Sequence, residues 1–487
     1  MARSPLATIR RSRMPAVRRR ASGRIFELRD TSEKLISADS LLRGRRARDV
    51  SGQTARLARE FVARNEASLR ELGATIATIY DGAAVSLRIQ STGTVGAVPL
   101  VSPTSGRIEY GLVIQPRFEW QGIGGMLSEM GWRVIPNPLS RPNLPESDRK
   151  IPPWVLATIV VFRIRALLQE LERRFEMVHE DLGAPRGTVN WPQYIGNRVS
   201  RGRFLNVPCT FPDLRDDRSL KSAIKFALQK QLGSLSAQRP AGPHVVALLE
   251  TCTSLLDRVR DVVPHEPSPV ELDRWMRGSL KSASFIRGIQ AVEWTAQDRG
   301  LAGLSDLQGL PWSMSMEAFF EAWTETVMVK VARKIGGVVK AGRQRATTAP
   351  LRWDPPFLGS QKSLVPDVML ERGDLTVIVD AKYKEHWEEM QDRRWAEQGE
   401  ELRERHRADL LQVLAYANIA STPRIVVCLA YPCSNRTWQS LHERGRAFHR
   451  ASLSSGDRRI DLLLTALPMG VKAVDVAEPL AREIAKR

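Results

Sequence analysis

A chain of 487 residues is longer than one ordinary hydrophobic core supports, so two to four domains are expected. Its hydrophobic fraction of 43% is that of a globular protein, while 73 Lys and Arg against 54 Asp and Glu give a formal charge of +19 and a pI near 10.3, which fits a polyanionic partner or an arginine-rich proteome. Four cysteines, Cys209, Cys252, Cys428 and Cys433, have neither zinc-site spacing nor the density of a disulfide framework, which excludes a disulfide-stapled secreted module and fits a cytoplasmic protein.

Residues 1–25 form a basic tail, with Arg3, Arg10, Arg11, Arg13, Arg18, Arg19, Arg20 and Arg24 and no acid before Glu27. Composition makes the tail disordered and able to grip a DNA backbone; an overlong start or a transit peptide fits it equally, and it has no apolar stretch of a secretion signal. Residues 26–136 read as a mixed α+β N-terminal domain, with an amphipathic helix over Arg56–Leu72 and strands at Val85–Ile89 and Ile108–Ile114. Gln121-Gly-Ile-Gly-Gly125 lacks the third glycine of a dinucleotide fingerprint and reads as a turn before a helix.

Residues 137–153, rich in Pro, Asn and Ser, are the expected linker. The apolar run Trp154–Phe162 is too short to span a bilayer and is followed by Arg163 and Arg165, so it reads as the start of a buried helix and no membrane association is expected. Helical periodicity over Ile159–Val178, Leu220–Leu232, Val245–Val262 and Pro269–Trp294 predicts a mainly helical middle domain at 154–300, interrupted near Gln238–Pro243.

Chemistry concentrates in residues 301–487. Met316–Val327 has helical spacing that leaves Glu321 able to face a hairpin further along the chain, with Glu317 and Glu325 as competitors. Gly359-Ser-Gln-Lys362-Ser363 lacks the first glycine and the preceding strand of a phosphate-binding loop, so no nucleotide is expected on this chain itself. Pro366 to Lys382 then reads as that β-hairpin, turning at Gly373-Asp374, a dipeptide suited to a two-residue II′ turn. Folding there opposes Asp367 to Asp380 and sends Asp367, Asp380 and Lys382 to one face, with Val368, Leu370, Val377, Val379 and Ala381 on the other.

Two close carboxylates repel unless a cation lies between them, and hard oxygen donors, with the Ala381 carbonyl as a third, suit Mg²⁺. The plain alternative is a solvated acidic hairpin. Lys384 shares the strand parity of Lys382 and is its rival. Residues 382–412 are long and charged, reading as an exposed helix or as a surface that closes over DNA or a partner. Arg407–Asn418 reads as a helix with Gln412 and Tyr416 on one face and Asp409 beside them, and Arg424–Ala430 as a central strand.

Phe320-Glu321, Pro366-Asp367, Asp380-Ala381-Lys382 and Gln412-x-x-x-Tyr416 together resemble the PD-(D/E)xK nuclease superfamily, and the Asp-Leu-Leu-Gln-Val-Leu-Ala-Tyr-Ala version resembles McrC of the methylcytosine-directed McrBC restriction systems. Pro185–Trp191 and Asp217–Leu228 are more loosely similar to its middle region. The resemblance implies a multi-domain α/β chain ending in a restriction-endonuclease-like core, a mixed sheet flanked by helices. It implies Mg²⁺, with Mn²⁺ as a substitute, on Asp367, Asp380, Ala381 and Glu321, with Lys382 orienting the attacking water or stabilising charge and Gln412 and Tyr416 in a supporting role. It also implies DNA as substrate and a hexameric McrB-like AAA+ GTPase as partner, contacted through the N-terminal domain. A vestigial subunit that only activates the motor, and a stand-alone nuclease of the same fold, are the alternatives.

Overall fold

The structure, a computed structural model, describes residues 24–41, 50–82, 84–118, 120–139, 152–171, 176–213, 217–277, 282–297, 300–301, 309–384, 400–455 and 458–486. The basic tail before residue 24, most of the 137–153 linker and residues 385–399 lie outside these.

Near the N-terminus, alternating burial along Ala84–Ser91 makes it the middle strand of an antiparallel sheet with Glu33–Ser37 and Ala74–Asp81. The more continuously apolar Thr94–Val101 and Ile108–Gln115 belong to a second sheet, buried on both faces. Its order is Arg24–Arg29, Ile108–Gln115, Thr94–Val101, Trp312–Ser315, Asn137–Pro138, so the first residues of the expected linker and a strand from far downstream complete it. Helix Val50–Glu71 packs on this pair of sheets through Ala58, Phe61 and Leu69. Its buried Asn65 satisfies both faces of its amide, donating to Phe61 O and Val101 O and accepting from Val101 N–H at 2.7 Å, so the polar group costs little to bury.

Residues 121–125 are not a turn: they lie inside helix Trp120–Glu129. Glycine disfavours a helix by about 1 kcal/mol per residue, but here close packing overrides propensity. A Cβ on Gly122 would lie 2.6 Å from Gly470 Cα, and one on Gly124 would lie 2.8 Å from the His244 ring.

Helix Trp154–Leu171 is buried from its first turn, as its apolar start requires. It packs with Arg218–Ala237, Pro243–Asp257 and Ala283–Ala296. Three expected helices are shorter than their periodicity, and the one drawn over Val245–Val262 ends at Asp257. The one drawn to Val178 ends at Leu171, and Glu176–Leu182 is instead a strand paired with Val207–Asp213, which also pairs Thr188–Val189 around a small core of Val207, Cys209 and Phe211. The one drawn over Pro269–Trp294 is two, Pro269–Met276 and Ala283–Ala296, because Arg277 turns extended at the first helix's end and Ser282 caps the second by accepting from Phe285 N–H. Among the described residues, no helix is long and apolar enough to cross a membrane.

The C-terminal part is a six-stranded mixed sheet in the order Val338–Ala341, Val368–Arg372, Leu375–Ala381, Arg424–Ser434, Arg458–Met469, Phe448–Ser455. The three central strands run parallel and the outer pairs antiparallel. Helices Met316–Ile335, Glu400–Tyr416 and Asn435–Glu443 contact this sheet, and Ala473–Ala485 packs on the first of them. Central parallel strands are covered on both faces, and the run Ile425–Cys433 is accordingly buried throughout. One continuous hydrophobic core joins these helices to the N-terminal sheets.

Candidate active site

The hairpin has the register read from its sequence: Val368 pairs Val379 and Arg372 pairs Leu375 across Gly373-Asp374, with Gly373 at a φ of 51° as such a turn requires. One step beyond the ladder, Asp367 comes opposite Asp380. Asp367 Oδ2 accepts a 2.7 Å hydrogen bond from the Ala381 N–H, which fixes its side chain against the neighbouring strand. Asp380 is buried, 2% exposed, at the penultimate position of its own strand.

Burying like charges together raises both carboxyls. Asp367 is pushed up to about 7, first by burial and then by the charge of Asp380, with the Ala381 N–H opposing. Asp380 is raised by burial against the pull of the Lys382 ammonium. The Lys382 Nζ lies 2.8 Å from Asp380 Oδ2, so the buried oxygen is paired with the ammonium. Burial works against the Lys382 charge, but Asp380, Asp367 and Asp409 outweigh it and hold its pKa above the ordinary value.

Helix Met316–Ile335, started by the Ser315 side chain accepting from Ala318 N–H, brings Glu321 into the same field. Burial raises the Glu321 pKa, with Glu317 and Asp380 adding to it and Lys382 opposing. Glu317 is exposed and packs over Gly93. Glu325 is buried between Arg133 at 2.7 Å and Arg343 at 2.5 Å, an ion triad that occupies its carboxylate. From helix Glu400–Tyr416, Gln412 Nε2 donates to Tyr416 OH at 2.8 Å, the contact their spacing allows. The Tyr416 hydroxyl is raised by burial, with Asp380 and Asp367 contributing, which sets it at the margin of the acid pair.

Lys384 is occupied elsewhere. Its Nζ reaches both oxygens of Asp409 at 2.7 and 2.9 Å, and Asp409 also accepts from Tyr431 OH at 3.1 Å, with His406 Nδ1 at 3.2 Å from that hydroxyl. The two lysines thus face different acids, Lys382 the hairpin's Asp380 and Lys384 the helix's Asp409. Tyr383 between them is a partner that sequence reading missed. It donates to Asp30, and its ring lies under the Arg117 guanidinium at 4.4 Å. Nothing local signals that contact.

The donor chemistry suits a hard dication: two neighbouring carboxylates, one buried, the other with its pKa raised first by burial and then by its neighbour's charge. Among the described residues, no group of three His, Cys, Asp or Glu side chains is placed to hold a metal ion. The Lys382 ammonium stands where such charge is needed, and the Ala381 N–H already takes up one oxygen of Asp367.

A family model described as the McrBC 5-methylcytosine restriction system component matches residues 143–432, more than half of the chain, taking in Glu321, the hairpin, Gln412 and Tyr416. No curated protein matches the sequence. Among solved structures, the chain is similar to a half-complex from a tetradecameric assembly of Thermococcus gammatolerans McrB AAA+ hexamers with bound McrC, at 13% identity and a TM-score of 0.42 over 94% of this chain and 100% of that one. The Thermococcus gammatolerans McrBC complex is similar at 12% identity and a TM-score of 0.25 over 63% of this chain and 88% of that one.

Proposed function

This chain belongs to the McrBC 5-methylcytosine restriction system component family, and from that footing we propose that it is the McrC-like, Mg²⁺-dependent endonuclease subunit, with a PD-(D/E)xK core in its C-terminal sheet. The observation that carries the proposal is the convergence of Asp367, Asp380 and Lys382, with Asp380 buried and paired to the Lys382 ammonium at 2.8 Å and the Asp367 carboxyl pushed up to about 7 beside it. A like-charge pair this close is costly, and the Ala381 N–H on Asp367 Oδ2 and the Lys382 ammonium on Asp380 offset only part of that cost.

In this reading Asp367 and Asp380 hold the ion, with the Ala381 carbonyl and Glu321 completing the donors, and Mn²⁺ can substitute. When bound, the dication polarises the scissile phosphodiester and lowers the pKa of an attacking water. Lys382 then exchanges its contact with Asp380 for the phosphate oxygens, where it offsets the charge that builds up during in-line displacement. The hydrogen bond between Gln412 and Tyr416 fixes the phenol, which orients the Lys382 ammonium or a phosphate oxygen. Glu321 adds a carboxylate whose raised pKa falls once positive charge is present.

The motor is assigned to a second chain, an AAA+ GTPase of McrB type acting as a hexamer, and both work on DNA in the cytoplasm. Gly359 to Ser363, which lacks the first glycine of a phosphate loop, is mostly exposed and leads into strand Ser363–Leu364 rather than a helix. The test mixes the chain with the AAA+ protein encoded beside it, GTP, Mg²⁺ and methylated or unmethylated duplex. Cleavage that needs Mg²⁺ and disappears in Asp380→Ala supports the reading; no cleavage in any combination overturns it. A subunit that only stimulates the motor would leave GTP hydrolysis activated and DNA intact.

A further inference from the structure

Between strands Val338–Ala341 and Val368–Arg372 the chain leaves the sheet and returns at Asp367. The base of this excursion is fixed to the acid's own backbone. Gly342 N–H donates to Asp367 O at 2.7 Å and Thr347 Oγ1 donates to Pro366 O at 2.6 Å. A Cβ on Gly342 would lie 2.4 Å from Pro366 O, so the approach is as close as backbones allow. Ala349 and Leu364, and Pro350 and Ser363, pair to close a stem that ends three positions before Asp367.

Beyond the stem the segment orders itself. Leu351 N–H donates to Lys362 O and the Trp353 indole to Gln361 O, both at 2.8 Å, while Trp353 and Phe357 meet edge to face with centroids 6.3 Å apart. Even so, its large apolar groups face solvent: Trp353 is 46% exposed, Phe357 61% and Leu358 86%. Arg345, Arg352 and Lys362 are exposed around them, and Asp354 is the one acid from 342 to 364. Arg345 holds a left-handed φ of 57°, a conformation unusual for a side chain of this kind and concentrated where function requires it.

We propose that residues 342–364 are a DNA-gripping arm of the nuclease site. In it, Arg345, Arg352 and Lys362 neutralise phosphates beside the scissile one, while Trp353, Phe357 and Leu358 press on bases or sugars in the adjoining groove. The inference rests on the nuclease reading and names the contacts that hold its substrate. Exposed apolar groups alone would suit a protein partner. Interleaved cations and aromatics are instead the combination that tracks a nucleic-acid backbone while stacking or wedging at its bases. Attachment to Asp367 supplies the geometry. Leu358 is nine positions from Asp367, a reach of at most about 30 Å, so a duplex with its phosphate at the acids passes within the arm's range.

The experiment titrates the full-length chain into fluorescein-labelled duplex carrying 2-aminopurine, in EDTA, between about 50 and 200 mM salt. Combined Arg345→Ala, Arg352→Ala and Lys362→Ala should weaken binding about tenfold or more and lower the log–log salt slope by about 2 to 3. Combined Trp353→Ala and Phe357→Ala should remove any 2-aminopurine enhancement and weaken binding about tenfold with the slope unchanged. Unchanged circular dichroism checks that these exposed substitutions leave the fold intact. Wild-type affinity and slope in both variants overturn the arm, whether or not Asp380→Ala still abolishes cleavage. Loss of motor association with DNA binding intact also overturns it, in favour of a protein-docking surface. If the variants lose DNA as expected but no Mg²⁺-dependent cleavage exists to lose, the arm stands and the nuclease reading falls.

Discussion

The Tyr383 hydroxyl donates a 2.6 Å hydrogen bond to Asp30 Oδ2, tying the segment that carries Lys382 to a turn 353 positions earlier in the chain. Asp30 is fully buried and its Oδ1 accepts from Arg117 N–H at 2.5 Å, so the N-terminal sheet holds the far side of the segment bearing Lys382. Tyr383→Phe leaves a buried carboxylate oxygen short of a donor, which costs about 1–3 kcal/mol. The expected outcome is a lower urea midpoint together with slower cleavage, since Lys382 loses its neighbouring anchor. Full cleavage activity in a destabilised Tyr383→Phe protein would show that the contact serves folding alone.

The two front-face lysines should separate cleanly. Lys382→Ala is expected to cut cleavage by about 100-fold or more, the usual effect of removing a charge that acts on the transition state, and, because it strands the buried Asp380 carboxylate, to cost about 1–3 kcal/mol of stability as well. Lys384→Ala should leave cleavage near the wild-type rate wherever the protein is folded. It strands the buried Asp409 carboxylate and destabilises the fold by about 1–3 kcal/mol, discounted because Lys384 is itself 35% exposed. Single-turnover rates and denaturant midpoints on both variants check this, and interchanged results would reassign the catalytic lysine.

Glu321 and Glu325 lie one turn apart on a helix and should behave oppositely. Glu321→Gln relieves repulsion with Glu317 and Asp380, so the metal-free protein is unchanged or more stable while cleavage falls roughly tenfold. Glu325→Gln breaks the triad with Arg133 and Arg343 and costs about 3 kcal/mol, with cleavage retained at temperatures where the variant is folded.

The acid pair makes metal-free stability fall with pH. An unfolded Asp367 releases its proton near 3.8, whereas the native one keeps it to about 7, so between those values the native state binds more protons and loses stability as pH rises. The raised Asp380 acts in the same direction. Thermal unfolding in EDTA should therefore show a Tm that declines through this window and levels above it. Mg²⁺ should raise the Tm most at the alkaline end, because binding must displace the proton. Asp367→Asn should flatten the decline, and a Tm indifferent to both pH and Mg²⁺ would argue against an ion between these acids.

The hairpin was legible because two independent signals agree on its register, the alternation that puts Asp367, Asp380 and Lys382 on one face and the demand of a two-residue turn for Gly373, although strand Leu375–Ala381 is buried along its whole length. Gln412 and Tyr416 were legible for the same local reason. What could not be read was non-local. Glu176–Leu182 carries several acids and looks like the tail of the preceding helix; only its pairing with Val207–Asp213 makes it a strand. Trp312–Ser315 is too short to announce itself, and its partner is Thr94–Val101. That Lys384 faces a different acid from Lys382 depends on Asp409, a residue on another element. The glycines at 122 and 124 contradict helix propensity because what decides them is the space beside Gly470 and His244.

The pairing of Trp312 with Pro138, continued by the hydrogen bond from Leu139 N–H to Pro311 O, sets the exit and re-entry points of a very long excursion side by side. During synthesis the N-terminal sheet keeps an open edge along Thr94–Val101 until residue 315 has emerged, and the helix that carries Glu321 begins at the next residue. Closing a loop of this length costs only slightly more than closing a short one, but it must wait for the chain to be made. A ribosome stalled within the helical region would thus display an unpaired strand open to aggregation, and a protein truncated there should need a chaperone to remain dispersed. Completion of that edge and arrival of the first candidate acid are one event in the life of the chain.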